Sequence, residues 1–168
     1  MSIHIRPLAA SDRPALSRML RSTPQFLPFE VDVAEDLCDA YLNEGDTSGY
    51  HTYIAAVDGK LAGYICYGPT PLTQGTWDIY WIAVTPANQR QGIGRKLLAF
   101  AEDKIRLANG RMVLVETSSK PDYDGTNRFY ISQGYELICR IADFYAPGDD
   151  RITYRKVFDC LAAVVEGG

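Results

Sequence analysis

The chain has 168 residues, 46% of them apolar and 23% charged, with a net charge of −4, which suits one domain with its own core. The acidic balance, with no basic tail or cluster, argues against nucleic acid as a partner, because a phosphate backbone needs a concentrated basic face. No apolar run approaches the roughly 20 residues that span a bilayer, and residues 1–8 lack the regions of a secretory signal, so a cytoplasmic protein with no membrane partner is expected.

Residues 2–6 read as a short strand. A helix is expected from Ser11, with Pro14 tolerated in its first turn and Ala15, Leu16, Met19 and Leu20 as its apolar stripe. Residues 23–29 are broken twice by proline and read as a loop. Asp32 and Glu35 have capping-box spacing, with Asp in the Ser/Thr place. They would open a second helix with Ala34, Leu37, Cys38, Tyr41 and Leu42 on its apolar face and Gly45 as its stop. Residues 53–57 and 61–67 are strands joined by Asp58-Gly59, a hairpin signal. After a turn over 68–75, residues 77–84 form the next strand. The following helix keeps Ile93, Leu97, Leu98, Ala101, Ile105 and Ala108 on one side and ends at Asn109-Gly110. Residues 112–117, continuously apolar at first, read as a central strand covered on both faces. Residues 126–133 form a short helix stopped by Gly134, and residues 135–140 and 152–158 a last strand pair linked through 146–150. Residues 1–158 thus read as one α/β domain with a mixed sheet, whose helical crossover implies a parallel step. Residues 159–168 are a separate tail. The cysteines, Cys38, Cys66, Cys139 and Cys160, form no Cys-x-x-Cys pair, and His4 and His51 lie far apart. Free thiols and no metal site are expected, with Cys38 and Cys66 as small buried hydrophobes.

The stretch from Asp78 to Leu98 is the most telling. An apolar strand runs into Gln89-Arg-Gln-Gly-Ile-Gly94 and straight into a helix. Gly92 and Gly94 let a ligand approach the backbone without Cβ contacts. The N–H groups from Gln91 through Lys96 would face outward at the positive end of a helix, a nest for a diphosphate, with Arg90, Arg95 and Lys96 adding charge. A Rossmann site would need a third glycine where Leu97 stands, and a P-loop would need Gly-Lys-Ser/Thr. Dinucleotide hydride transfer and nucleotide hydrolysis therefore drop out.

The segment Ile82 to Leu98 closely resembles the acetyl-CoA-binding motif of the GNAT N-acetyltransferase superfamily, whose Gln/Arg-x-x-Gly-x-Gly/Ala signature falls on Gln89 to Gly94. A second element, Asn127-Arg-Phe-Tyr-Ile-Ser-Gln-Gly-Tyr135, resembles the family's later segment, and the element order matches over nearly the whole chain. The resemblance implies a single GNAT-like domain: a mixed, mostly antiparallel sheet of about seven strands, splayed between residues 77–84 and 112–117 and flanked by about four helices. It implies that Gln89, Arg90, Gln91, Gly92, Ile93, Gly94, Arg95 and Lys96 bind the pyrophosphate of acetyl-CoA. Backbone groups of Ile82 and Val84 would pair with the pantetheine arm like an added strand, and Asn127 would contact that arm. The implied activity is transfer of an acetyl group from acetyl-CoA to a primary amine, of a small molecule or a peptide, by direct attack in a ternary complex. A longer acyl donor stays open, as does a monomer or a homodimer. The alternative is a CoA-binding sensor without turnover.

That chemistry has three needs. A lysine-like amine, with a pKa of about 10.4, must lose a proton. The tetrahedral oxyanion needs a donor, most simply the N–H of Val84. The departing thiolate needs a proton, and Tyr130 matches the family's general acid; the plainer reading is a core tyrosine, although Phe129 is expected to fill the core position. Asp78 matches a strand position where some relatives carry a catalytic glutamate. It is one methylene shorter, so a bridging water ordered by Tyr80 would be required; Glu116 or water alone are the competing bases. The acceptor-side segments carry Phe26, Leu27, Phe29 and Glu30, then Tyr67 and Trp77, then Phe144, Tyr145, Asp149 and Asp150. This aromatic and acidic set suits a small cationic amine with an apolar part, unless the aspartates only cap a Pro-Gly turn and the aromatics only cover the core's edge.

Overall fold

The computed structural model describes residues 2–159; the expected tail, apart from Asp159, and Cys160 lie outside them. Period-two stretches form seven strands: β1 (Ile3–Pro7), β2 (His51–Val57), β3 (Lys60–Pro69), β4 (Thr76–Val84), β5 (Met112–Ser118), β6 (Glu136–Ala146) and β7 (Asp149–Val157). They make one sheet in the order β1-β2-β3-β4-β5-β7-β6. Only β4 and β5 are parallel, joined by the helical crossover that a parallel step requires. Alternate residues send their side chains to opposite faces, so Ile54, Tyr64 and Cys66 pack under α1 (Arg13–Arg21) and α2 (Pro28–Glu44). Ala55, Ile65, Val113 and Val115 pack under α3 (Ile93–Leu107) and beside Tyr130 of α4 (Asp124–Ser132). The expected single, mostly antiparallel seven-stranded sheet with four helices is the observed fold. Asp58 (φ +49°) and Gly59 (φ +76°) make the β2–β3 hairpin turn, as their sequence indicates. Among the described residues no helix is long and apolar enough to cross a membrane.

The feature that positions the site is a bulge. Cys66 of β3 lies opposite Trp81 and Tyr67 opposite Ile79, which leaves Tyr80 without a partner. An extra residue bends a strand and increases its twist. Pairing of β4 with β5 runs only from Thr76↔Met112 to Ile79↔Val115, whereas β5 continues alongside β7 to Ser118. The two strands therefore part at the bulge, where the splay was expected. Beyond it the Thr85 N–H donates to the Ala62 carbonyl at 2.8 Å. Alternation along the ladder then turns the N–H and C=O of Ile82 and Val84 to the other edge, into the gap.

Several expectations need correcting. The second helix starts at Pro28, not Asp32. Proline suits a first helical turn, and the Glu30 carboxylate accepts the Leu27 N–H at 2.7 Å. Asp32 and Glu35 lie inside the helix; Glu35 accepts from Ser17 and pairs with Arg21 at 3.0 Å, tying α2 to α1. Ser11 sits in a short 3-10 turn, and α1 begins only at Arg13. β5 is fully buried on one face alone; on the other, Met112 and Leu114 are only half-buried and Ser118 is buried. Val113, Val115 and Thr117 are buried but Glu116 is exposed, because the core under α1 and α2 draws only on β2, β3 and β4. Ala108 lies past the end of α3 and is exposed. The β6–β7 connection shrinks to Pro147-Gly148, and both strands grow accordingly.

The cores are rich in tyrosine. Tyr64, Tyr67, Tyr130 and Tyr135 are each at most 3% exposed, and burial pushes all four phenols well above their ordinary value. The unfolded chain ionises these groups from about pH 10 while the native state keeps their protons. Stability should therefore hold below pH 10 and fall above it, by about 1.4 kcal/mol per pH unit for each phenol that stays protonated. Urea midpoints at pH 9 and pH 11 test this; equal midpoints would contradict it.

Candidate active site

The glycine turn follows β4 through a 3-10 turn, Pro86–Asn88. Arg90 (φ +59°) and Gly92 (φ +78°) are both left-handed, and Gly92 is the N-cap of α3. The buried Ile93 pins the helix start to the core while the residues on either side stay accessible. The helix's first bond runs from the Lys96 N–H to the Gly92 carbonyl at 3.0 Å. Among the described residues, the N–H groups of Gln91, Gly92, Ile93, Gly94 and Arg95 have no backbone acceptor. They crowd the positive end of α3, where an anion is favoured. Lys96 is the correction: its N–H is spent on the Gly92 carbonyl, and its side chain, like those of Arg90 and Arg95, is exposed. Gln89 donates its side-chain amide to the Val84 carbonyl at 3.4 Å, bracing the turn against the strand. A Cβ on Gly94 would meet Phe129 and Val84 only at 3.7 Å, so alanine would fit there too.

The gap between β4 and β5 opens into a cavity of about 720 Å³. Asp78, Tyr80 and Ile82 line it from β4, Glu116 from β5, and Tyr130 from α4. Asp78 is half-buried and accepts the Thr70 hydroxyl at 2.5 Å. Tyr80 is the bulge residue, so period two does not place it with Asp78, yet both side chains reach the cavity. Burial first, and the Asp78 carboxylate second, push the Tyr80 phenol up to about 12. Glu116 is exposed and faces Arg151 at 3.5 Å. Tyr130 is 2% exposed and packs edge-on against Tyr135 and flat against Tyr154. It, not Phe129, holds the core position, which corrects the expectation; Phe129 is half-buried over Gly94. Core packing and cavity lining thus coincide in one side chain. Burial keeps its phenol neutral near neutral pH.

Asn127 is already engaged. It accepts the Thr117 hydroxyl at 2.5 Å and donates to the Ser118 carbonyl at 3.2 Å, so its amide fastens α4 to the end of β5. Of the residues expected on the acceptor side, Phe26, Leu27, Phe29, Glu30, Tyr145 and Asp149 line the cavity. Tyr67 and Trp77 pack together with His51 instead, Phe144 lies against Arg151, and Asp150 bonds Arg140 and the Asp143 N–H. Sequence reasoning missed Gln25, Lys120 and Tyr123. Gln25 bonds the Asp122 carbonyl 97 residues away, a contact that no local pattern announces.

The profile of the acetyltransferase (GNAT) domain matches residues 48–137. A crystal structure from Desulfovibrio desulfuricans, assigned to the GNAT family of acetyltransferases, is 43% identical; the match covers 93% of this chain and 99% of that one, with a TM-score of 0.89. The ribosomal-protein-S18-alanine N-acetyltransferase of Escherichia coli is similar in fold at 21% identity, over 93% and 94% of the two chains, with a TM-score of 0.74. So is yncA of Salmonella typhimurium, solved with its cofactor acetyl-CoA, at 19% identity over 97% and 98%, also with a TM-score of 0.74. A search of curated protein sequences gave no match.

Proposed function

Because the chain belongs to the GNAT acetyltransferase family, we propose that it moves the acetyl group of acetyl-CoA to a primary amine by direct attack in a ternary complex. The observation that carries this reading is the succession of three features along residues 78–96. The cavity lined by Asp78 to Ile82 and by Tyr130, the backbone groups of Ile82 with the N–H of Val84, and the free N–H groups at the start of α3 follow one another along a single segment of chain. A thioester with its attacking amine fits the first, an extended amide-bearing arm the second, and a diphosphate the third.

In this reading the Val84 N–H meets the oxyanion as it develops. Tyr130, neutral by burial, gives its proton to the departing thiolate. Asp78, oriented by Thr70, takes the ammonium proton through a water. A binding module without turnover would need the Tyr130 ring for packing on Tyr135 and Tyr154 but not its hydroxyl. The direct test mixes the protein with acetyl-CoA and a panel of primary amines and reads free thiol; release independent of the amine would overturn the reading.

The base has its own test. Asp78→Asn should lower kcat/KM about 100-fold and remove the acidic limb of its pH profile, whereas Glu116→Gln should keep that limb. The reverse pattern would move the base to β5.

A further inference from the structure

The loop between α1 and α2 bridges the splay. Gln25 donates its side-chain amide to the Asp122 carbonyl, and the Tyr123 hydroxyl donates to the Gln25 carbonyl at 3.3 Å. The loop is seated on β4 by an edge-on contact of Phe26 with Trp81, with 5.2 Å between ring centroids. Asp122 and Tyr123 follow β5. These bonds tie the loop across the opening left where β4 and β5 part, while Leu27, Phe29 and Val33 stay exposed at the rim of the cavity.

Its walls are unequal in charge. Phe26, Phe29, Tyr80 and Trp81 supply aromatic surface. The charged lining residues are Glu30, Asp78, Glu116, Asp149 and a single cation, Lys120. Lys120 is taken by the buried Asp149 at 3.4 Å, and Glu116 faces Arg151, whose guanidinium lies over the Phe144 ring. Among the described residues, Glu30 and Asp78 have only uncharged partners, the Leu27 N–H and the Thr70 hydroxyl.

We infer that the acceptor is a small primary amine on an aromatic or branched apolar body, with no carboxylate beside the amine. This rests on the acetyl-transfer reading. Glu30 and Asp78 attract the ammonium, and the aromatic wall takes the body. An α-carboxylate would enter a partly desolvated cavity beside two like charges and find the lysine already paired. The Gln25–Tyr123 bridge narrows the approach of an amine displayed on a folded protein surface.

The experiment uses the full chain, acetyl-CoA and thiol release with five acceptors: 2-phenylethylamine, L-phenylalaninamide, L-phenylalanine, ethanolamine and a tetrapeptide with N-terminal phenylalanine. The first two should exceed L-phenylalanine in kcat/KM by about 100-fold, and ethanolamine and the tetrapeptide should also trail them. Glu30→Gln retains an oxygen for the Leu27 N–H. It should raise KM for 2-phenylethylamine about 10-fold, narrow its preference over L-phenylalanine, and leave acetyl-CoA affinity by calorimetry unchanged. A preference for L-phenylalanine, ethanolamine or the tetrapeptide, or an unaltered preference in Glu30→Gln, overturns the assignment while the transfer reading stands. No amine-dependent release overturns both.

Discussion

Replacing Gly92 by aspartate is expected to weaken acetyl-CoA binding by at least about 100-fold. The added Cβ meets no protein atom within 4 Å, so the fold has room for it. The open space is the mouth of the N–H nest. A carboxylate roughly 5 Å from a diphosphate charge, at an effective dielectric near 20, costs about 3 kcal/mol. It also answers the helix's partial positive charge before the ligand can. The backbone at φ +78° adds about 1 kcal/mol of strain for any L side chain. Gly92→Ala carries that strain without the charge, so it should bind within about 10-fold of the parent. Calorimetry on the three proteins separates the terms. Affinity within threefold for Gly92→Asp would remove the diphosphate from this turn.

That nest was legible because its ingredients are local. Gln89 to Gly94 are consecutive, and their effect depends only on a strand before and a helix after. The hairpin at Asp58-Gly59 and the stop at Gly45 were legible for the same reason, the first requiring positive φ at two consecutive residues and the second at one. Lys96 shows the limit of local reading, since which N–H closes the first helical bond depends on where the helix begins. Asp32 and Glu35 show another. Their spacing imitates a cap, but tertiary pairing of Glu35 with Ser17 and Arg21 explains it, and the real start uses proline and Glu30.

Other features depend on residues far apart in sequence. The bulge at Tyr80 arises from the register between β3 and β4, and it decides both where the sheet opens and which edge Ile82 and Val84 present. The one-sided burial of β5 follows from how far α1 and α2 extend over the sheet, which an apolar run alone does not encode. The Gln25 bridge is of the same kind. The motif thus points to a cofactor end, and six of the acceptor-side residues named from the sequence line the cavity, but how those walls meet follows only from the assembled sheet. This division is physical: backbone N–H groups in one turn can hold a phosphate whatever their surroundings, but an amine pocket is made of walls from several elements.

Tyr130→Phe should lower kcat about 100-fold while leaving acetyl-CoA affinity within twofold. Phenylalanine keeps the ring that packs on Tyr135 and Tyr154 and removes only the hydroxyl, so the fold and the nest at α3 are undisturbed. In the proposed role, what is lost is the proton for the thiolate at the moment the C–S bond breaks. Burial holds the phenol above its ordinary value. Tyr130 therefore adds no alkaline limb below about pH 10, and a limb nearer neutrality must belong to another group. Packing and proton donation predict different outcomes for this one substitution. A residue needed only for packing would shift the urea midpoint slightly and leave kcat alone; a proton donor would do the reverse. Equal kcat at saturating acetyl-CoA and amine would return Tyr130 to the core and assign the proton to solvent.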